Sequence, residues 1–173
     1  RAAVYVWVLL PWLAAFYGVQ ALGRAPDVFT TVQPVERTWP VLQWTEAVYV
    51  LAYVTVPTAP LVALGARGLR RFAVAGIVGT IVVTLLWLVI PAVISPRPFE
   101  PSGFWGRLLS FEQASTRGVA ALPAFHVLWA LIAGELWADN ARVSGRAWWR
   151  WAGWIVAWAI SASTLTTGMH SLA

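Results

Sequence analysis

The chain is short of several residue types: among its 173 residues there is no cysteine, no lysine and only two histidines. Without cysteine it can form neither a disulfide nor a thiolate metal site. Charged residues make up 11% of the chain, whereas a soluble domain carries about 25%. This scarcity of charge argues against a soluble domain.

All 12 basic residues are arginine, and they outnumber the 7 acidic residues. The net charge of +5 does not by itself indicate a nucleic-acid partner, because membrane proteins concentrate arginine at the cytoplasmic ends of their spans. We therefore expect membrane lipids and no nucleic acid as partners. The oligomeric state is left open.

Long apolar runs make up most of the remaining sequence. Apolar residues account for 60% of the chain, and several runs reach the ~20 residues that cross a bilayer. We predict an all-α integral membrane protein with a single transmembrane domain over 1–173. About five spans are visible, at roughly 2–21, 47–66, 72–95, 121–138 and 148–169. The first run is one of several similar ones, so it is not interpreted as a signal peptide.

The charges between the spans predict how they are oriented. The link at 66–71 carries three arginines and no acid, and the link at 138–150 carries three arginines against one aspartate. The longer connections, 22–46 and 96–120, mix both signs. The positive-inside rule therefore places the short links in the cytoplasm and the long connections outside a cell (inner) membrane.

This orientation brings three polar residues from different spans to the outer face. Arg97 follows the third span, His126 lies near the start of the fourth, and His170 lies at the end of the fifth. An ionisable residue within an apolar span is costly and indicates a functional site. Imidazoles serve as nucleophiles or proton donors at physiological pH, and an arginine fork binds two phosphate oxygens at once. The three residues suit phosphoryl transfer.

Three further features concern the surroundings of these residues. Pro123 is expected to be the first residue of a helix, with His126 in a first turn that favours an anion. The segment 104–111 has apolar residues at helical spacing and is either a short interfacial helix over the site or a plain loop anchor. Glu135 would lie ~13 Å below His126 and is interpreted as the partner of a polar group or an interface residue, without a catalytic role.

The order of these residues resembles the motifs of the membrane type 2 phosphatidic acid phosphatase superfamily. This superfamily includes lipid phosphate phosphatases and, more distantly, inositol phosphorylceramide and sphingomyelin synthases. Its motifs run K-x-x-x-x-x-x-R-P, P-S-x-H and S-R-x-x-x-x-x-H-x-x-x-D. Arg97-Pro98 matches the end of the first motif, and Pro123-Ala124-Phe125-His126 resembles the second. Ser163-Thr164, five further residues and then His170 follow the frame of the third, so the resemblance covers roughly 47–173.

The resemblance implies a six-helix bundle that acts on a phosphorylated lipid at the extracytoplasmic face, as a lipid phosphatase or phosphotransferase. His170 would be the nucleophile that forms a phosphohistidine, His126 would protonate the leaving oxygen, and Arg97 would hold the phosphate. The family needs no metal or other cofactor. Two histidines without cysteine also fall short of the three protein ligands usual for catalytic zinc.

The chain departs from the family's pattern where the motifs carry polar or charged groups. Ile90 stands at the lysine position, Ala124 at the serine position and Thr164 at the arginine position. Thr164 offers the phosphate a hydrogen bond without a charge. Arg117, in the outer connection before His126, is a candidate to supply the missing charge.

These departures leave an alternative open, namely a catalytically weak or inactive member of the fold that binds lipid phosphate or serves as a scaffold. A transporter or channel is a poorer interpretation, because the spans show no paired broken helices and no inverted repeat. The chain begins with Arg1, and both the third motif's aspartate and the sixth span would follow Ala173. We therefore expect a fragment of a longer chain.

Overall fold

The computed structural model describes residues 1–22, 29–30, 33–90, 92–115 and 123–171. Six main helices carry the fold in these described ranges: α1, Ala2–Leu22; α2, Gln43–Val62; α3, Ala66–Val89; α4, Gly103–Ser115; α5, Phe125–Val143; and α6, Arg150–Thr166. Helix α1 includes a π-helical segment, Tyr5–Leu9. Short 3-10 helices at Pro34–Thr38 and Ala147–Trp149 precede α2 and α6. Two-residue strands, β1 at Phe29–Thr30 and β2 at Ala92–Val93, pair in parallel.

Three of these helices, α1, α2 and α3, are long and apolar enough to cross a membrane. They agree with the first three predicted spans, although α2 and α3 begin several residues earlier than expected. Helices α5 and α6 overlap the fourth and fifth predicted spans. Helix α5 is more polar toward its C-terminal end, and α6 is short at 17 residues. The fold is therefore a helical one with three such helices, and the count of five spans and the six-helix bundle stay predictions.

The predicted link at 66–71 is the first part of helix α3 instead of a separate loop. Gly65 has an extended backbone and precedes the helix, and the following arginines are good helix formers. Helix α3 ends at Val89, and Ile90 is extended. Pro91 comes next in the sequence, and the residue before a proline disfavours the helical conformation.

Helix α5 lies at the centre of the bundle, where it contacts α2, α3 and α6. Small residues let α5 and α6 approach closely. A Cβ atom added to Gly134 would lie 2.9 Å from the Cβ of Ala157, and one added to Gly153 would lie 2.9 Å from the carbonyl oxygen of Gly134. Close packing through small residues is common between membrane helices, and here it sets the separation of the two helices.

An aromatic core joins α1, α3 and α5. The ring centres of Trp12 and Trp129 lie 5.3 Å apart, and those of Trp87 and Phe125 lie 4.5 Å apart. On α3, buried residues recur at helical spacing, and the outward face exposes a series of aliphatic side chains: Val74, Ile77, Val78, Ile81, Val82, Leu85 and Leu88. An exposed apolar face of this length suits the hydrocarbon of a bilayer.

Polar contacts join the two links that were predicted to be cytoplasmic. Arg71 at the start of α3 pairs with Asp139 near the end of α5 at 3.1 Å, and Arg142 pairs with the same carboxylate at 2.6 Å. Glu135 lies 3.7 Å from Arg142, so it is the partner of a polar group, as expected. The two arginine-rich links therefore share one end of the bundle.

Candidate functional site

His126 lies in the first turn of α5, at the opposite end of the bundle from these ion pairs. The helix begins at Phe125 with Ala124 as its N-cap, so His126 is the second helical residue. The prediction that Pro123 is the first residue of the helix is wrong. Ala124 is extended, and the carbonyl oxygen of Pro123 instead accepts a hydrogen bond from the Trp87 indole at 3.2 Å.

His170 is carried by a turn that follows α6. Gly168 has φ +72°, a left-handed conformation that glycine adopts without a Cβ penalty and that commonly ends a helix. The backbone N–H of His170 then donates to the carbonyl oxygen of Thr164 at 3.0 Å. This turn brings the ring of His170 to 6.1 Å from the ring of His126, measured between centres, with 54° between the planes.

Arg97 lies against the same turn, but both terminal nitrogens of its guanidinium donate to the main chain. Nη1 donates to the carbonyl oxygen of Glu36 at 3.1 Å, and Nη2 donates to that of Leu165. The backbone N–H of Arg97 donates to the carbonyl oxygen of Gly168 at 3.2 Å. Burial lowers the pKa of Arg97, and the nearby Glu36 raises it. In this arrangement Arg97 fixes the position of the turn that carries His170.

The side chain of Thr164, another predicted phosphate ligand, is directed into its own helix, although its carbonyl oxygen accepts from the backbone N–H of His170. Thr164 is fully buried, and its hydroxyl donates to the carbonyl oxygen of Ser161 within α6 at 2.7 Å. Arg117 lies outside the described residues. The described chain also contains no group of three or more His, Cys, Asp or Glu side chains that could hold a metal ion.

Two tyrosines that the sequence analysis did not single out hold His126 from both sides. The hydroxyl of Tyr49 lies 3.1 Å from Nδ1 of His126, and the hydroxyl of Tyr53 lies 3.3 Å from Nε2. Tyr53 in turn donates to Oε2 of Glu112 on α4 at 3.1 Å. A hydrogen-bonded chain therefore runs from Glu112 through Tyr53 and His126 to Tyr49.

This chain of hydrogen bonds favours one tautomer of His126. A tyrosine hydroxyl has one hydrogen to donate, and Tyr53 uses it for Glu112. With that hydrogen used, the oxygen of Tyr53 is available as an acceptor for His126, which favours the Nε2–H form with Nδ1 accepting from Tyr49. Both nitrogens of His126 have a tyrosine hydroxyl as partner.

Two carboxyl groups lie near the tyrosines. Glu46, Tyr49 and Tyr53 fall at i, i+3 and i+7 on α2 and share one helix face. Glu46 is fully buried, and neither of its carboxyl oxygens has a hydrogen-bond partner among the described residues. Glu112 is close enough to interact with Glu46 electrostatically. Burial raises the pKa of Glu112, and the hydrogen bond from Tyr53 partly offsets this rise.

A cavity of about 810 Å³ opens beside His126, with walls from α1, α2, α4 and α5. It extends along α1 from Tyr5 to Ala21, which corresponds to roughly 24 Å at the helical rise. Aliphatic and aromatic side chains dominate its lining, and His126 and Glu112 provide polar groups in its wall. The predicted segment 104–111 lies within helix α4 and is not a plain loop. Helix α4 contributes Phe111 and Glu112 to the wall.

The site thus combines two neighbouring imidazoles, a tyrosine–carboxyl relay and an apolar cavity of ligand size. Glu46, Tyr49 and Tyr53 could have been noticed from the sequence, because they are polar residues inside an apolar helix. The contribution of Glu112 could not, because it depends on how α4 packs. In comparisons with known proteins, the chain matches no family model, no curated protein and no solved structure.

Proposed function

We propose that this protein is a membrane-embedded lipid phosphatase or phosphotransferase that works through a phosphohistidine intermediate at the extracytoplasmic face. The observation that carries the proposal is the His126–His170 pair, 6.1 Å apart between ring centres, beside an elongated apolar cavity. The cavity accommodates the hydrocarbon of an amphiphile, and His126 in its wall would face the polar end, with His170 behind it.

The spacing of the histidines suits an in-line displacement on phosphorus. A reacting nitrogen approaches phosphorus at about 3–3.5 Å, and a proton donor lies about 2.6–3.2 Å from the leaving oxygen. Both distances require the two imidazoles to be neighbours. His170 bonds to phosphorus while the P–O ester bond breaks, and His126, as the imidazolium that a bound phosphate anion favours, gives a proton to the leaving oxygen.

The second half of the reaction restores both histidines. Water or a lipid hydroxyl attacks the phosphorus, its proton passes to His126, and the P–N bond to His170 breaks. Attack by water releases phosphate, and attack by a lipid hydroxyl forms a new phosphodiester. The first turn of α5 adds backbone N–H groups and the positive end of a helix dipole near the phosphate.

The test compares a lipid phosphate with an aryl phosphate as substrates of the full-length protein in detergent. His170→Ala should abolish turnover of both, because no P–N bond can form. His126→Ala should lower turnover of the lipid phosphate about 100-fold or more and turnover of the aryl phosphate much less, because an aryl oxide leaves without a proton. Free phosphate and new phosphodiester are followed together, with and without a lipid alcohol.

Two arginine variants provide the controls. Arg107 on α4 is exposed, so Arg107→Ala should leave turnover unchanged. Arg97→Ala should lower thermal stability together with turnover, because it releases the carbonyl groups of Glu36 and Leu165. A loss of turnover with unchanged stability would instead indicate that Arg97 binds the phosphate directly. Full activity in both histidine variants would refute the proposal.

A second candidate function is favoured by the occupied donors of Arg97 and Thr164. Both side chains already donate to main-chain carbonyl groups, which leaves the histidines with little side-chain support for a phosphate. A catalytically inactive protein of this fold, which binds lipid phosphate without turnover, would have its arginine and threonine occupied in this way. Saturable binding of a lipid phosphate, with neither free phosphate nor a phosphodiester produced, would favour this function.

A further inference from the structure

We infer that the cavity beside His126 selects an amphiphile whose polar end carries a protonated amine, and that Glu112 binds this amine. The inference rests on the proposed function and narrows its substrate class, from phosphorylated lipids in general to those with an ammonium group a few bonds from the phosphate. The amine belongs either to the headgroup or to the backbone of the lipid, and the experiment below separates these two sources.

The charge of the cavity is the first reason. Among the described residues that line it, Glu112 is the one carboxyl group, and there is no arginine. A carboxylate in an apolar wall is costly unless it is paired, and in this structure the hydrogen bond from the neutral hydroxyl of Tyr53 is its partner. An ammonium group supplies the missing counter-charge.

The position of Glu112 is the second reason. Its Oε2 atom is connected to Nε2 of His126 through the single hydroxyl of Tyr53, by contacts of 3.1 and 3.3 Å. Oε2 of Glu112 and Nε2 of His126 are therefore at most two hydrogen-bond lengths apart, so a phosphate at His126 and an ammonium group at Glu112 would be close neighbours. An amino alcohol phosphate spans such a distance within one polar head.

The remaining wall suits both ends of this ligand. Tyr17, Tyr53 and Phe111 line the same cavity as Glu112, and aromatic faces attract an ammonium group. The long apolar stretch beside α1, from Tyr5 onward, accepts a hydrocarbon chain. The cavity thus offers charge, aromatic faces and apolar length to a cationic amphiphile.

The first experiment measures binding and does not depend on turnover. Dodecylamine and dodecanol, which share one chain length, are titrated into the full-length protein in a maltoside detergent and followed by native mass spectrometry. Dodecylamine should bind at least about tenfold more tightly, the factor that a charge-assisted hydrogen bond contributes. Glu112→Gln should remove this difference while dodecanol binding is retained, which also shows that the variant is folded.

Glu100→Gln is the matched control, because Glu100 is an exposed carboxyl group outside the cavity. It removes the same charge and should leave the preference for the amine unchanged. Equal binding of the two probes by the unaltered protein, or an undiminished preference in Glu112→Gln, would overturn the inference. The comparison on the unaltered protein remains decisive even if Glu112→Gln fails to fold.

Turnover then separates the two sources of the amine. The substrates are a diacylglycerol phosphate without an amine, a diacyl phosphoethanolamine with the amine in its headgroup, and a long-chain 2-amino alcohol phosphate with the amine in its backbone. The preferred source should show the highest kcat/KM, and Glu112→Gln should reduce that value about tenfold. Amine-selective binding without any turnover would sustain the inference about the ligand and refute the proposed reaction. Turnover without amine preference would sustain the proposed reaction and refute the inference about the ligand.

Discussion

His126 has an unusual environment for a residue proposed to transfer protons, because each ring nitrogen already has a tyrosine hydroxyl as its partner. Tyr49 approaches Nδ1 and Tyr53 approaches Nε2. These contacts fix the ring orientation in the resting protein. A substrate oxygen must therefore replace a tyrosine hydroxyl as the partner of a ring N–H group before proton transfer can occur.

The tautomer of His126 can be measured directly, since the chain has two histidines. We expect ring-nitrogen NMR of protein labelled with ¹⁵N-histidine to show His126 as neutral and protonated at Nε2. Tyr53→Phe should change this signal toward a mixture of tautomers, because Nε2 loses its acceptor. His170→Ala assigns the two rings, and Tyr17→Phe, a cavity tyrosine without a contact to His126, should leave the signal unchanged. Protonation at Nδ1 in the unaltered protein would contradict the assignment.

Glu112 is expected to make stability depend on pH. Burial raises the pKa of its carboxyl group in the folded protein above the usual value of 4.5, so the folded state binds a proton more tightly than the unfolded state. The resulting stabilisation is complete below about pH 4.5 and is lost as the pH rises through the raised pKa. In the described part of the chain, Glu46, Tyr49 and Tyr53 interact electrostatically with Glu112.

Thermal unfolding of the protein and of Glu112→Gln, measured from pH 4 to pH 8, tests this expectation. The free energy of unfolding of the unaltered protein should fall over this range relative to that of Glu112→Gln, because glutamine does not ionise. Glu46 is present in both proteins, so the difference between the two curves reports Glu112 together with its electrostatic effect on Glu46. Parallel curves would show that the carboxyl group titrates as it does in water.

The sequence predicted the two histidines as candidates but not their partners. An imidazole in an apolar span by itself indicates a functional site. Tyr49 and Tyr53 are ordinary residues for the interfacial end of a span, and only the packing of α2 against α5 shows that they contact His126. The sequence also could not predict that Arg97 donates to main-chain carbonyl groups, because those groups belong to residues distant in sequence.

At the scale of the elements, the approach of α5 and α6 determines the geometry of the site. Helix α5 carries His126 in its first turn, and α6 leads into the turn that carries His170. The glycines at 134 and 153 let the two helices touch along their backbones. A larger side chain at this interface would separate the helices and move the two imidazoles apart.

Gly153→Ala tests this dependence. The added Cβ atom would lie 2.9 Å from the carbonyl oxygen of Gly134 and from the Cβ of Trp137, and such overpacking typically costs about 1–3 kcal/mol. The melting temperature should fall, and turnover should fall with it. Gly18→Ala is the matched control: its Cβ atom meets nothing within 4 Å, and replacing glycine in a helix stabilises it by about 0.5–1 kcal/mol. A stable Gly153→Ala protein would show that the interface can relax.

Apolar length predicted the existence of the helices better than it predicted their ends. Helix α3 begins six residues earlier than expected because arginines were assigned to a link although they continue a helix well. Helix α5 begins two residues after Pro123, since Ala124 is extended and serves as the N-cap. The ends depend on local backbone conformation, which hydropathy does not describe.

For the whole molecule, the structure separates two chemically different ends. One end holds the ion pairs of Asp139 with Arg71 and Arg142, and the other holds the histidines, the tyrosines and helix α4. The sequence predicted this separation from arginine asymmetry alone. It could not predict the cavity between α1 and α2, because the cavity arises from how side chains of four helices pack.

Which end faces the cytoplasm is a prediction that single cysteines can test, because the chain has no cysteine to give background labelling. Glu100→Cys marks the histidine end, and Gly65→Cys and Ser144→Cys mark the arginine end; all three positions are exposed. In intact cells a membrane-impermeant maleimide should label Glu100→Cys and neither of the other two, and all three should react once the membrane is permeabilised. The reverse pattern would place the histidines in the cytoplasm, where a phosphorylated lipid would have to approach from the inner leaflet. Labelling of Gly65→Cys and Ser144→Cys on opposite sides would refute the shared end that the Arg71–Asp139 pair defines.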